Sequence, residues 1–130
     1  MKTKRIRYLR WTMVILPLLL GVVVYWLFRS GPTRYEEWIG WEKKIGLPGR
    51  LSNWLPDYCW CVSLLSFFTV LWDGWDRVPR SWKWILWILV TGTELLQYLH
   101  VIDGVGDWID ILMYQLAFLT VYTLHKTQRL

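Results

Sequence analysis

The chain has 130 residues, of which 55% are hydrophobic and only 19% charged, and its net charge is +5. A soluble domain of this size needs far fewer apolar residues. The 12 tryptophans are typical of membrane proteins, because Trp concentrates where the bilayer meets water. We therefore expect a membrane protein with a single domain over residues 1–130. The basic residues lie at the ends of apolar runs, so we expect contacts with the lipid bilayer and anionic lipid and no nucleic-acid binding.

The first apolar run follows a basic segment. Residues 1–10 contain five Lys or Arg and no acid, and residues 11–28 are then uncharged. A run of that length crosses most of a bilayer core as a helix. A signal peptide has the same pattern, but no small-residue cleavage site follows the run. We therefore predict an uncleaved transmembrane helix.

A polar connection with several Gly and Pro residues occupies residues 29–54. Within it, five residues recur at helical spacing: Tyr35, Trp38, Ile39, Glu42 and Ile45. This pattern predicts a short helix lying in the membrane interface and ending before Pro48. An irregular loop is the alternative.

Three more apolar runs follow, separated by short polar turns. Pro56 suits the first turn of a helix, because its missing N–H has no partner there. The sequence therefore predicts an all-α integral membrane bundle of four transmembrane helices, at about residues 11–28, 56–72, 82–99 and 108–124.

The distribution of basic residues predicts the orientation of this bundle. If the N-terminus is cytoplasmic, ten of the fifteen Lys and Arg residues lie inside and five outside. Positive charge concentrates in cytoplasmic segments. Both termini are therefore expected inside, in the cytoplasmic (inner) membrane of a bacterial cell, with a multi-pass topology.

This orientation brings polar residues from three helices to the outer end. Glu94 is the strongest signal, because an acid near a helix centre costs about 2.5–3.5 kcal/mol to insert. A helical wheel places Glu94 and Gln97 on one face of the third helix, and Asp107, Asp110 and Tyr114 on one face of the fourth. The sequence predicts an acidic, ligand-binding pocket formed by these residues: Asp57, Glu94, Gln97, Asp107, Asp110 and Tyr114.

Each of these acids also has a purely structural interpretation. Glu94 would tie helices together by hydrogen bonds. Asp107 and Asp110 would cap the fourth helix, and Asp57 would interact with the dipole of the second.

Several carboxylates at one level repel each other unless some are protonated or a cation lies among them. Candidate cations are a divalent metal, a cationic ligand, or a basic side chain of the first outer loop: Arg34, Lys43, Lys44 or Arg50. The sequence does not choose among them, so the metal and any cofactor stay open. No phosphate-binding loop, zinc motif or Ser/His/Asp arrangement is present.

The segment Glu94-Leu95-Leu96-Gln97, followed by Asp107-Trp108-Ile109-Asp110, resembles the VanZ-like family of small bacterial membrane proteins. The resemblance covers residues 56–124, with Asp57 matching an aspartate at the start of the preceding helix. It implies an envelope protein with a link to tolerance of the glycopeptide teicoplanin, and it supplies no reaction.

The leading interpretation is a VanZ-like, non-enzymatic envelope protein whose acidic pocket binds a lipid-linked or cationic envelope component. A small cation- or proton-coupled transporter is the first alternative, and it would require a homo-oligomer because four helices are too few. A membrane-embedded enzyme that uses carboxylates or a metal is the second.

Overall fold

The described part of the chain is all-helical. The computed structural model describes residues 2–28, 38, 40, 51–103 and 106–128. Within those ranges there are four α-helices and no strand: α1 (Lys2–Phe28), α2 (Leu51–Leu71), α3 (Arg80–Tyr98) and α4 (Trp108–Gln128). One short 3₁₀ turn, Trp75–Arg77, lies between α2 and α3.

The four predicted helices are present, but two begin earlier than predicted. Helix α1 starts at Lys2 rather than at residue 11, and α2 starts at Leu51 rather than at Pro56. The start of an apolar run marks where burial in lipid begins, whereas helical hydrogen bonding continues into polar residues beyond it. Pro56 consequently lies inside α2, and the prediction that it occupies the first turn is wrong. The interfacial helix predicted over residues 35–45 lies outside the described residues, apart from Trp38 and Gly40.

Two stretches among the described residues are long and apolar enough to cross a membrane. They are Lys4–Phe28, of 25 residues, and Trp54–Leu71, of 18 residues. Helices α3 and α4 carry more polar side chains, among them Lys83 and Glu94 in the first and Gln115 and His125 in the second. Length and composition therefore support membrane association through two helices.

Helix α2 packs against both α1 and α4, and α3 packs on α4. Gly21 permits the close approach of α1 to α2, because a Cβ there would lie 2.7 Å from Trp60 Nε1. The Tyr25 and Trp60 rings pack 5.7 Å apart. Ser63 Oγ donates to Val14 O at 2.6 Å. A buried hydroxyl thus satisfies its hydrogen bond across the helix interface.

The apolar core lies midway along the bundle, between α2 and α4. Leu65 and Ala117 are fully buried, and Val62 and Val121 are almost so. The turn after α2 closes one end of this core, because Trp75 packs edge-on against Phe118 with ring centroids 6.4 Å apart.

The alternation of chain direction sorts the polar side chains into two ends of the bundle. We call the end that contains Asp57, Glu94, Asp107 and Asp110 the acidic end. The other end, with Arg10, Asp73, Asp76, Arg77 and His125, is called the basic end. At the basic end Arg10 pairs with Asp73, and His125 Nε2 lies 2.7 Å from Asp76 Oδ2. These two pairs connect α1 and α4 to the turn between α2 and α3.

Candidate functional site

Glu94 faces the interior of the bundle at the acidic end. Its side chain projects from α3, and the residue is only 6% exposed. Its Oε1 accepts a hydrogen bond of 3.1 Å from the backbone N–H of Asp107. The carboxyl therefore joins α3 to the start of α4 inside the bundle.

The loop between α3 and α4 crosses closely over the end of α3. The last turn closes with a hydrogen bond from Val101 N to Leu96 O of 2.9 Å, and His100 takes a positive φ of 58°. A Cβ at Gly106 would lie 2.1 Å from Tyr98 N. Only glycine fits this approach, which carries the next N–H to Glu94.

Asp107 caps helix α4. Its Oδ1 accepts a hydrogen bond of 3.1 Å from Ile109 N, which is the usual way to satisfy a free N–H in a first helical turn. The structural interpretation of Asp107 is thereby confirmed, and its carboxylate is engaged in helix formation.

Asp110 lies deeper than Asp107 and is 9% exposed. Its carboxyl lies near those of Asp57, Glu94 and Asp107. Its Oδ1 is buried without a hydrogen-bond partner among the described residues. Carboxylates this close repel each other unless a proton or another cation lies between them.

Tyr114 belongs to the same group of side chains. One turn after Asp110 on α4, it lies within electrostatic range of Asp57, Glu94 and Asp110. Cys61 of α2 also lies near Asp57 and Tyr114. Nothing in the sequence marks Cys61 as part of this group, since a buried thiol in an apolar run has no distinctive pattern.

Two predicted site residues differ from expectation in position. The Gln97 amide donates to Asp103 O at 3.5 Å. It therefore contacts the loop after α3 and not the cluster of acidic side chains. Asp57 lies beyond the first turn of α2, because that helix begins at Leu51. Its interpretation as a first-turn dipole contact is wrong, because the dipole acts within the first turn.

Metal binding was left open by the sequence. Among the described residues, no three His, Cys, Asp or Glu side chains are arranged to hold a metal ion. The acidic end contains a pair of buried carboxyls from two helices, and the buried Asp110 Oδ1 has no hydrogen-bond partner among the described residues.

Two further polar groups were not found from the sequence. Gln115 joins α4 to α3: it accepts from Trp87 Nε1 at 2.8 Å and donates to Thr91 Oγ1 at 3.2 Å.

At the basic end, the hydrogen bond from Arg10 and the positive charge of Arg10 lower the pKa of Asp73 below its usual range. The ion pair therefore contributes to the stability of the fold at neutral pH, and this stabilisation is lost as pH falls through the lowered pKa of Asp73.

Comparison with known proteins adds no assignment. No family model matches the chain, and neither the curated proteins nor the solved structures give a match. The class defined by the described residues is a four-helix protein with two helices able to cross a membrane.

Proposed function

We propose that the protein is a four-span, VanZ-like integral membrane protein of the bacterial inner membrane, with both termini cytoplasmic. Its acidic end faces outward and binds a positively charged group of an envelope component. Tolerance of glycopeptides such as teicoplanin is the physiological consequence that the resemblance suggests. Binding, not catalysis, is the proposed activity.

The observation that carries the binding proposal is the pairing of Glu94 with Asp110. Two acids from different helices are more than nine-tenths buried and lie near each other. Placing two carboxyls in such a position is costly unless they have partners. Glu94 has one in Asp107 N–H, whereas Asp110 Oδ1 has none among the described residues. A cationic group at Asp110 would satisfy that oxygen and reduce the repulsion.

The membrane part of the proposal is supported by the apolar surface. Large apolar side chains exposed on α1 include Ile15, Leu16 and Leu19, and those on α3 include Trp84 and Ile88. Among the described residues, more large apolar side chains are exposed than buried. Soluble monomers rarely expose large continuous apolar patches, whereas lipid tails would cover such side chains.

The transporter and enzyme alternatives gain less support. A carrier needs polar groups along its path, but Leu65, Ala117 and Val121 fill the region between the two ends. An enzyme would use the same two carboxyls, Glu94 and Asp110, as acid and base.

The test is thermal unfolding of the purified protein with added cations. Ca²⁺ and Mg²⁺ are the metal probes, and spermidine is the amine probe. The variants are Glu94→Gln and Asp110→Asn, which keep side-chain shape and remove charge. Asp103→Asn, an exposed acid at the same end, is the matched control. We expect one probe to stabilise the wild type and the control but neither variant, by about 2.7 kcal/mol at a hundredfold excess over Kd.

Two results would contradict the binding proposal. Equal stabilisation of all four proteins would mean non-specific binding. Earlier unfolding of both variants, with no probe distinguishing them from the wild type, would make the acids structural. In cells, Asp110→Asn should abolish any increase in teicoplanin tolerance that the wild type confers at equal membrane abundance.

A further inference from the structure

We propose that the basic end binds the phosphate group of an anionic phospholipid at a cavity between Arg10 and His125. This site is separate from the acidic end. It rests on the proposed membrane placement but not on cation binding by Asp110.

The cavity lies where α1, α2 and α4 meet. Its volume is about 20 Å³, which is room for one oxygen-sized group. Arg10, His125, Ser66 and Thr69 are its polar lining residues, and Met13, Val121 and Leu124 form its apolar wall. A phosphate would place one oxygen inside and the remainder at the mouth.

Two buried nitrogen atoms at this cavity have no hydrogen-bond partner among the described residues: Arg10 Nε and His125 Nδ1. Another nitrogen of each side chain is engaged: Arg10 Nη1 with Asp73, and His125 Nε2 with Asp76. A guanidinium has five N–H donors in a fixed fork, so Arg10 can keep Asp73 and still donate to a phosphate. His125 Nδ1 also donates when the ring is protonated.

The charge around the cavity matches an anionic headgroup. Residues 4–10 and 73–83 together contain seven Lys or Arg but only two Asp. Arg7 lies one turn before Arg10 on the same side of α1 and is exposed. Basic pockets between membrane helices at the cytoplasmic side bind phospholipid headgroups.

The apolar wall favours a lipid over free phosphate. Met13 lies on the same side of α1 as the exposed Leu9 and Leu16, about one turn away in each direction. An acyl chain can lie along that surface while its phosphate contacts Arg10. Inorganic phosphate would gain nothing from it.

The test measures lipid binding to the full chain in neutral detergent, by native mass spectrometry. Phosphatidylglycerol is compared with phosphatidylcholine on wild type, Arg10→Gln and Arg80→Gln. Arg80 is an exposed cation at the same end that does not line the cavity. We expect the wild type to prefer phosphatidylglycerol. Arg10→Gln should weaken that binding about tenfold, as for loss of a charge-assisted hydrogen bond, and Arg80→Gln by less than about twofold.

A second variant separates binding from folding. Asp73→Asn breaks the same ion pair as Arg10→Gln but leaves the guanidinium, so binding should be kept or strengthened. Equal binding of both lipids would overturn the proposal, as would equal losses in Arg10→Gln and Arg80→Gln. So would loss of binding in Asp73→Asn, or displacement of the lipid by inorganic phosphate at matched concentration. Asp110→Asn should bind lipid normally, so failure here is distinguishable from failure at the acidic end.

Discussion

Gly106 allows the loop after α3 to pass directly over the end of that helix. The nearest atoms to a Cβ at this position are backbone atoms of Gln97 and Tyr98, and backbone cannot move aside as a side chain can. The next residue, Asp107, donates to Glu94 and caps α4. The absence of one methyl group thus positions both a helix start and a buried carboxyl.

We predict that Gly106→Ala destabilises the protein by about 1–3 kcal/mol, the usual cost of overpacking. Gly92→Ala is the matched control, because nothing lies within 4 Å of a Cβ there. Alanine in a helix should stabilise it by about 0.5–1 kcal/mol. Unfolding in a denaturing detergent, followed by tryptophan fluorescence, measures both. Equal effects of the two substitutions would contradict the described loop geometry.

At the level of single residues, the sequence predicted those whose chemistry is unusual for their surroundings. Glu94 and Asp110 are acids in apolar segments, and both are buried in the structure. Gly106 and Gln115 could not be predicted in this way, because their roles depend on which distant backbone or side chain approaches them. Gln97 was predicted to lie with the carboxyls, but its amide donates to Asp103 O.

Helix α3 is attached to the rest of the bundle mainly through α4. Leu86 and Glu94 are its buried residues, and most of its remaining side chains are exposed. Gln115 provides two of its polar contacts, with Trp87 and Thr91. The attachment therefore depends on few groups, which increases the importance of each.

We predict that Gln115→Leu lowers the free energy of unfolding by about 1–2 kcal/mol, as expected for two interhelical hydrogen bonds in a membrane. Thr93→Val is the control, because the Thr93 hydroxyl bonds only to carbonyls of its own helix, Leu89 O and Val90 O. The detergent unfolding assay compares the two variants. If Thr93→Val costs as much as Gln115→Leu, the contacts of Gln115 do not hold α3 to α4.

Helix existence could be predicted from the sequence, whereas helix starts could not. Apolar runs identified all four helices, since each must cover an apolar face. Helices α1 and α2 begin earlier, at Lys2 and Leu51, in polar stretches that precede the apolar runs. The links at the basic end, Arg10 with Asp73 and His125 with Asp76, pair segments 63 and 49 residues apart, and no local pattern reports such a separation.

On the scale of the whole molecule, charge divides between the two ends. Buried acids meet at one end, and arginines with a histidine meet at the other, separated by an apolar core around Leu65. Positive charge on the cytoplasmic side would then fix the basic end inside. Both proposed sites depend on this single orientation, because an outward acidic end meets envelope components and an inward basic end meets anionic lipid.

The most direct test is labelling of single introduced cysteines with a membrane-impermeant maleimide in spheroplasts. Asp103→Cys places a thiol at the acidic end, and Ser81→Cys places one at the basic end; both positions are exposed. The wild type is the control, because Cys59 and Cys61 are 3% and 4% exposed. We predict that Asp103→Cys is labelled in intact spheroplasts and Ser81→Cys only after permeabilisation. The reverse labelling pattern would contradict the proposed orientation. Release of the protein from the membrane by alkaline carbonate would contradict membrane insertion itself.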